Sequence, residues 1–215
     1  MEGKIGKFVD KGAYCMAEVL IKEEVVVKDI LDTARVLFKQ NGFKKTTMGD
    51  IAQRLGKAKS SLYYYYPGKE DIFEAVLRME MDELLEQIHE VLREASSAKE
   101  KLILYCRCRL NKLSQLHYIS EVLKSDVAEL HCTMMDLKNR FDTSHVALVK
   151  EILEEGVHNG EFRPIDKKNL DLAADLLLSS FRGLAMPLMI SRDRSPLGQE
   201  QIEFIVDLMI SGIGQ

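Results

Sequence analysis

Features of secreted, membrane-spanning and disulfide-stabilised proteins are scarce in this sequence. Only four of its 215 residues are prolines and four are cysteines, and Cys15, Cys106, Cys108 and Cys132 do not form a disulfide-rich framework. No apolar run approaches the roughly 18 residues of a membrane span, and the N-terminus lacks the continuous apolar core of a secretory signal. We therefore expect a cytoplasmic protein with reduced thiols and no membrane association.

Signatures of catalysis and metal binding are also missing. There is no nucleophile elbow or phosphate-binding loop, and the abundant glutamates and lysines fall at the spacing of solvated helix faces. Cys106 and Cys108 would lie on different faces of a helix, and no CxxC or HxxxH spacing occurs. The sequence thus predicts no enzyme, no cofactor and no metal site, with a zinc or thiol sensor as the weaker alternative.

The composition that remains is typical of a helical protein. Hydrophobic residues make up 46% of the chain and charged residues 30%, which, with so few prolines, favours an all-α fold. The apolar spacing along the chain predicts about nine helices. The first helix is predicted over residues 24–41, where apolar residues follow the i, i+3, i+4, i+7 rule and Gly42 closes the helix. Residues 1–23 are expected to be a frayed extension, with a basic arm that reaches DNA as the alternative.

The most informative stretch is Thr46–Lys69, TTMGDIAQRLGKAKSSLYYYYPGK. Thr47 and Asp50 have the spacing of a capping box at the start of a short helix that Gly56 ends. A second short helix is predicted from about Lys59 to Tyr66, and its outer face carries hydroxyls, a lysine and phenols. Such a face suits the major groove of DNA because it offers hydrogen-bond donors and flat rings without a carboxylate.

The local charge supports this interpretation. Residues 44–69 contain six basic residues and one acid, a net charge of +5, whereas the whole chain is −4 and the remainder therefore −9. Because nucleic-acid binding depends on the local field, a basic module on an acidic body favours one DNA-binding surface. The alternative is an ordinary helical hairpin with solvated lysines.

The block Ile30–Leu77 resembles the DNA-binding domain of the tetracycline-repressor (TetR) family. The matching elements, in chain order, are Ala34, Leu37-Phe38, Gly42-Phe43, Thr46-Thr47, Ile51-Ala52, Gly56, Leu62-Tyr63, Tyr66 and Lys69-Glu70. Two residues depart from the family pattern: Lys57 replaces a small apolar residue, and Tyr66 replaces a more usual Phe. The resemblance implies a homodimeric, mostly repressing transcription regulator, with an extension at 1–23, a helix-turn-helix domain at 24–79 and a regulatory domain at 80–215.

The resemblance also implies which residues contact double-stranded DNA. By position, the groove-facing candidates are Lys59, Ser60, Ser61 and Tyr63, and the phosphate candidates are Thr46, Thr47, Tyr65 and Lys69. Tyr64 is either a groove contact or a packing residue, and Lys57 either adds a phosphate contact or loosens the turn. A dimer of such domains implies a palindromic operator.

The regulatory domain is expected to bind a small-molecule inducer and to dimerise. Helices are predicted over about 69–95, 98–117, 119–130, 133–157, 168–190 and 197–213. The candidate ligand-binding residues, each also explicable as an ordinary core or surface residue, are Tyr105, Arg109, His117, Tyr118, Met134, Phe141, His145 and Phe181. An apolar or amphipathic ligand is expected, and a DNA-binding structural or division-associated factor without a ligand is the alternative function.

The last two predicted helices are the most apolar, and the first of them is hydrophobic nearly all round. A helix of that kind requires burial on all sides. By resemblance, the two helices pair with their copies as a four-helix bundle across a two-fold axis. The predicted dimerisation residues are Leu177, Phe181, Leu184, Ile202, Ile205 and Met209.

Overall fold

A computed structural model describes the backbone of residues 11–115, 128–190 and 199–210, and the side chains of a smaller part of these ranges. All regular elements in these ranges are helices, which confirms the all-α prediction. They are α1 (Lys11–Asn41), α2 (Met48–Leu55), α3 (Lys59–Tyr65), α4 (Lys69–Leu92), α5 (Ala98–Gln115), α6 (Ala128–His158), α7 (Lys167–Ile190) and α8 (Gln199–Ile210). Most of the helix predicted over 119–130 lies outside the described residues.

The N-terminal helix is longer than the sequence pattern predicts. Helix α1 begins at Lys11, so residues 11–23, which we expected to belong to a frayed extension, continue the helix predicted over 24–41. No proline or glycine interrupts residues 13–41, and the chain therefore has no local reason to leave the helix in that range.

The chain divides into two compact units. The first comprises the described residues up to Asn41 together with Lys45–Val76, and the second comprises Gly42–Lys44 and the described residues from Leu77 onward. Helix α4 contributes its first two turns to the first unit and the rest of its length to the second.

The first unit is built on the packing of α1 against α2 and of α2 against α3. Ile30, Ile51 and Leu62 are completely buried in it. The rings of Phe38 in α1 and Phe73 in α4 meet edge to face with their centroids 5.4 Å apart, a favourable aromatic geometry. These contacts provide the support on which α3 is held.

The second unit is organised around α5, which packs against α6, α7 and α8, while α6 also packs along α7. Its apolar core draws on every helix of the unit and includes Leu84, Ile88, Leu102, Leu153, Leu178 and Val206. The turn after α6 closes the start of α5, because the Glu161 carboxylate accepts hydrogen bonds from the backbone N–H groups of Ala98 (3.0 Å) and Lys99 (3.2 Å). A cap supplied from so far along the chain fixes where α5 begins.

Candidate functional site

The helix-turn-helix begins with the predicted capping box. The backbone N–H of Asp50 donates to the Thr47 hydroxyl oxygen (3.2 Å), and the Asp50 carboxylate accepts from the Thr47 backbone N–H (2.8 Å) and hydroxyl (2.7 Å). These hydrogen bonds hold the pKa of Asp50 below its usual value. The first turn of α2 is therefore fixed by two neighbouring side chains.

The turn between α2 and α3 depends on Gly56. Its φ of 65° lies in the left-handed region, which a side chain disfavours. The N–H groups of Gly56 and Lys57 donate to the carbonyls of Gln53 (3.1 Å) and Ala52 (3.0 Å), the pattern of a Schellman motif. This motif directs the chain into α3, where Leu62 turns inward and is completely buried.

With Leu62 inward, α3 presents its polar side to solvent. Tyr64 is 75% exposed and Tyr63 is 47% exposed, and the Lys59 ammonium lies 5.7 Å from the centroid of the Tyr63 ring. Of the predicted DNA contacts, Thr47, Lys57, Lys59, Ser60, Tyr63 and Tyr64 are exposed, and Ser61, Tyr65 and Lys69 are half-buried. Burial lowers the pKa of Lys69, an effect that Glu70 opposes.

Thr46 does not lie on this surface. Its side chain is completely buried, and its hydroxyl lies 3.4 Å from the Leu37 carbonyl, to which it donates. The prediction that Thr46 contacts a phosphate therefore needs correction, because the side chain links the turn to α1 inside the first unit. Thr46 and Thr47 are adjacent in the sequence, but the first side chain is buried and the second is exposed. The sequence motif alone does not show which of the two faces DNA.

A buried polar cluster lies in the core of the second unit, formed by Tyr105 and Arg109 of α5 and His145 of α6. The Arg109 guanidinium donates to the Tyr105 phenol oxygen (2.8 Å), and the same oxygen lies 2.8 Å from His145 Nδ1. All three are buried, with exposed fractions of 2% for Tyr105, 4% for Arg109 and 0% for His145. Residues far apart in the sequence thus form one hydrogen-bonded chain.

Aromatic rings enclose this cluster. The Arg109 guanidinium lies 5.7 Å from the Tyr105 ring, 5.3 Å from the Phe141 ring and 5.6 Å from the Phe181 ring. The Phe141 and His145 ring centroids are 3.9 Å apart. Five predicted ligand-binding residues are therefore brought together, while the side chains of His117, Tyr118 and Met134 lie outside the described residues.

Burial determines the charge of each member of the cluster. It lowers the pKa of His145 to about 3, with smaller effects from the charges of Arg109 and His89. It also raises the pKa of Tyr105 to about 12, although the neighbouring Arg109 opposes this shift. At neutral pH both His145 and Tyr105 are therefore uncharged, and Arg109 supplies the positive charge of the cluster.

An apolar cavity of about 20 Å³ lies beside the cluster and shares Tyr105 and Phe181 with it. Its other lining residues are Leu102, Cys106, Val149, Leu177, Leu178, Val206 and Met209. Burial raises the pKa of the Cys106 thiol to about 12, so this cysteine is a neutral apolar lining group. The cavity and the cluster together form an amphipathic interior.

The structure contains a buried ion pair, one helical turn from Arg109, that the sequence analysis does not predict. The Lys112 ammonium of α5 contacts the Glu80 carboxylate of α4, with exposed fractions of 8% and 1% for the two residues, and lies 3.7 Å from Glu83. A lysine and a glutamate in amphipathic helices normally face solvent, and no local pattern distinguishes this pair.

The predicted dimerisation residues largely face the interior of the protomer. Phe181 and Ile202 are buried in the core, Leu177, Ile205 and Met209 are half-buried, and the side chain of Leu184 lies outside the described residues. The exposed apolar residues of α7 and α8 are instead Leu172 (57%), Leu176 (58%), Phe204 (67%) and Leu208 (66%). The residues that we predicted for the dimer interface thus pack largely against other helices of the same protomer.

A capped helix-turn-helix with a basic and phenolic outer face, followed by a larger helical unit with an amphipathic interior, defines a DNA-binding transcription regulator. Residues 30–76 match the model of the bacterial regulatory proteins of the tetR family, and residues 77–180 match that of the C-terminal region of YsiA-like proteins. The chain belongs to the TetR family.

Individual relatives are similar over most of the chain. The fatty acid metabolism regulator protein of Bacillus subtilis is 24% identical, over 86% of this chain and 93% of its own. The transcriptional repressor KstR2 of Mycolicibacterium smegmatis is 27% identical, over 87% of this chain and 90% of its own. A crystal structure of FadR from Bacillus subtilis in complex with stearoyl-CoA shares the fold, with a TM-score of 0.67 and 23% identity over 86% of this chain and 98% of that one.

These relatives are transcription regulators, which places the chain with DNA-binding proteins rather than enzymes at the level of the family. Among the helices that the structure describes, none combines the length and the apolar character needed to cross a bilayer.

Proposed function

We propose that the protein is a cytoplasmic transcriptional repressor that binds a palindromic operator as a homodimer and is released by a small amphipathic ligand. The observation that carries this proposal is the exposed face of α3, where Lys59, Ser60, Tyr63 and Tyr64 point away from a helix-turn-helix held by two caps. Similarity over most of the chain to KstR2, a transcriptional repressor, further supports a function in repression.

On this proposal, α3 enters the major groove. Lys59 and the hydroxyls of Ser60 and Tyr63 are positioned to donate to base edges, whereas Thr47 and Lys69, near the starts of α2 and α4, contact phosphates. Tyr64, with three quarters of its surface exposed, is assigned to the DNA contact and not to packing. Thr46 is not among the proposed phosphate contacts, because its side chain is buried.

The exposed apolar residues of α7 and α8 support a homodimer. Leu172 and Leu176 are separated by one turn on α7, and Phe204 and Leu208 by one turn on α8. A pair of apolar stripes on the last two helices forms a self-complementary patch when a second copy is related by a two-fold axis. A dimer of this kind places two reading helices about 34–36 Å apart, or a multiple of that distance, on a palindrome.

The interior of the second unit supports an amphipathic ligand. Its polar cluster and apolar cavity adjoin each other, and the structural relative FadR is bound to stearoyl-CoA, which combines a long apolar chain with a charged group. We assign the ligand to the fatty-acyl class. A factor of the same fold without a ligand is the second candidate, favoured by the small volume of the cavity, about 20 Å³; it predicts that no acyl compound changes operator affinity.

The assignment of α3 is tested by two lysine substitutions. We expect Lys59→Ala to weaken operator binding by about 10-fold and to change the base preference, because a groove contact contributes roughly 1–3 kcal/mol of discrimination. Lys69→Ala should weaken binding to all sequences alike. It should also reduce the slope of log affinity against log salt concentration by about one, since one phosphate contact fewer releases about one ion fewer. Gel-shift titrations at two salt concentrations measure both effects, with the exposed Lys167→Ala of α7 as a control. Unchanged affinity in both variants would refute the assignment.

The dimer is tested at Phe204. We expect Phe204→Asp to convert the protein to a monomer, since it places a charge in the apolar stripe of α8, and to weaken operator binding by about 100-fold through loss of bivalency. Analytical ultracentrifugation gives the oligomeric state, and gel shifts give the affinity. Asn159→Asp adds the same charge at an exposed position outside α7 and α8 and should leave both unchanged. A dimeric Phe204→Asp protein would show that this face is not the interface.

A further inference from the structure

We infer that Arg109 and His145 bind the free carboxylate of an apolar carboxylic acid, so that the ligand is the acid itself and not its coenzyme A thioester. This inference rests on the proposed ligand-responsive function and specifies the chemistry of the same interior. Three observations carry it: Arg109 forms no ion pair with a described residue, His145 Nε2 has no hydrogen-bond partner among the described residues, and an apolar cavity lies beside them.

Arg109 is a buried cation for which the described side chains provide no ion pair. It is 4% exposed, and its hydrogen bond to a described residue is the one to the neutral Tyr105. The aromatic rings around it attract the cation through cation–π contacts, but these contacts recover only part of the cost of burying a charge. A guanidinium also has five N–H donors in a planar fork that matches a carboxylate. The charge of Asp142 acts on the neighbouring Tyr105, but no described carboxylate forms an ion pair with the Arg109 guanidinium, which leaves its fork open to a ligand.

His145 supplies a second buried donor within the same cluster. We assign the phenol hydrogen of Tyr105, whose oxygen accepts from Arg109, to the contact with His145 Nδ1, so that Nδ1 is the acceptor. The hydrogen of the neutral ring therefore resides on Nε2. This atom is buried, and among the described residues it has no hydrogen-bond partner. Leaving such a buried donor unsatisfied is unfavourable, and an acceptor oxygen of a ligand would remove this cost.

The cavity marks the position between the helices that we assign to the apolar part of the ligand. Tyr105 and Phe181 contact both the cluster and the cavity, so a chain attached to a carboxylate at Arg109 extends between α5, α7 and α8. A volume of about 20 Å³ holds little more than one water. An alkyl chain consequently enters only if these helices separate, and the ligand thereby favours a different conformation of the second unit.

A thioester fits this site less well. Its carbonyl oxygen accepts one hydrogen bond from His145, but it carries no charge and leaves the Arg109 cation uncompensated. The phosphates of coenzyme A carry charge, but they are separated from the acyl chain by a long linker and would require the cation to lie outside the apolar core. Burial of Arg109 between Phe141 and Phe181 therefore favours an acid whose charge adjoins its chain.

The test compares decanoate, methyl decanoate and decanoyl-coenzyme A, which share one chain and differ in the headgroup. We expect the full-length protein to bind decanoate at least about 10-fold more tightly than either of the others in isothermal titration calorimetry, because hydrogen bonds to a charged group are stronger than those to a neutral one. Arg109→Met should remove this preference by weakening decanoate binding at least 10-fold while leaving methyl decanoate unchanged. The exposed Arg163→Met serves as the control.

Each outcome separates this inference from the proposed function. The carboxylate site is overturned if the wild-type protein binds the acid and the methyl ester equally, a comparison that does not depend on the folding of a variant. It is also overturned if Arg109→Met binds decanoate as tightly as the wild-type protein. If decanoyl-coenzyme A nevertheless releases the operator in a gel shift, the ligand-responsive function survives without the carboxylate site. If decanoate binds through Arg109 but does not change operator affinity, the carboxylate site stands and the proposed release mechanism is wrong.

Discussion

Gly156→Ala is expected to lower the free energy of unfolding of the second unit by about 3 kcal/mol, the upper end of the range for overpacking a core. A Cβ at this position would lie 2.1 Å from Cδ2 and 2.2 Å from Cε2 of Phe162, and 3.0 Å from Cβ of Ala98. Phe162 is itself 1% exposed, so its ring has no free space into which to move.

The backbone around Gly156 also resists a shift. Its carbonyl accepts hydrogen bonds from the N–H groups of Glu161 (2.8 Å) and Phe162 (3.0 Å), and the Glu161 carboxylate caps α5 at Ala98 and Lys99. Displacing the Phe162 ring therefore disturbs the cap of the central helix, and the cost extends beyond one steric overlap.

Urea denaturation followed by circular dichroism measures the effect. Gly183→Ala in α7 is the matched control, because nothing lies within 4 Å of its added Cβ; we expect it to gain about 0.5–1 kcal/mol from helix propensity. Adding Phe162→Leu to Gly156→Ala should recover part of the loss, since a smaller side chain relieves the overlap. If Gly156→Ala is as stable as the wild type, the close approach of Phe162 is not as described.

Lys112→Met is expected to lower the free energy of unfolding by about 3–5 kcal/mol, the cost of removing one partner from a buried ion pair. Glu80 is 1% exposed, and without the ammonium of Lys112 its buried carboxylate loses the opposite charge that this ion pair supplies. Methionine has about the length of the lysine stem, so the substitution changes the charge more than the packing.

A more exposed ion pair, Lys101–Glu155, provides a control for this prediction. Lys101 lies 2.5 Å from Glu155, but their side chains are 22% and 38% exposed, and Lys101→Met should cost less than about 1 kcal/mol. The double variant Glu80→Leu/Lys112→Met should recover most of the stability lost by Lys112→Met, because it removes both charges. If the two single lysine variants are equally stable, burial of the Glu80 pair contributes nothing.

The local elements of this protein could be predicted from the sequence. The capping box of Thr47 and Asp50, the left-handed Gly56 and the apolar spacing of the helices depend on residues within a few positions of one another. The matching elements of the first unit are of the same kind, which is why the sequence alone predicts the family and the all-α fold.

Only the tertiary structure decided which side chains face inward. It buries Thr46 against α1, turns Phe181 and Ile202 into the core of the protomer, and leaves Phe204 and Leu208 exposed. It also joins Arg109 to His145, and Lys112 to Glu80. A sequence pattern defines the two faces of a helix, but the neighbours of each face depend on contacts between different helices. Those contacts exist only when the helices pack.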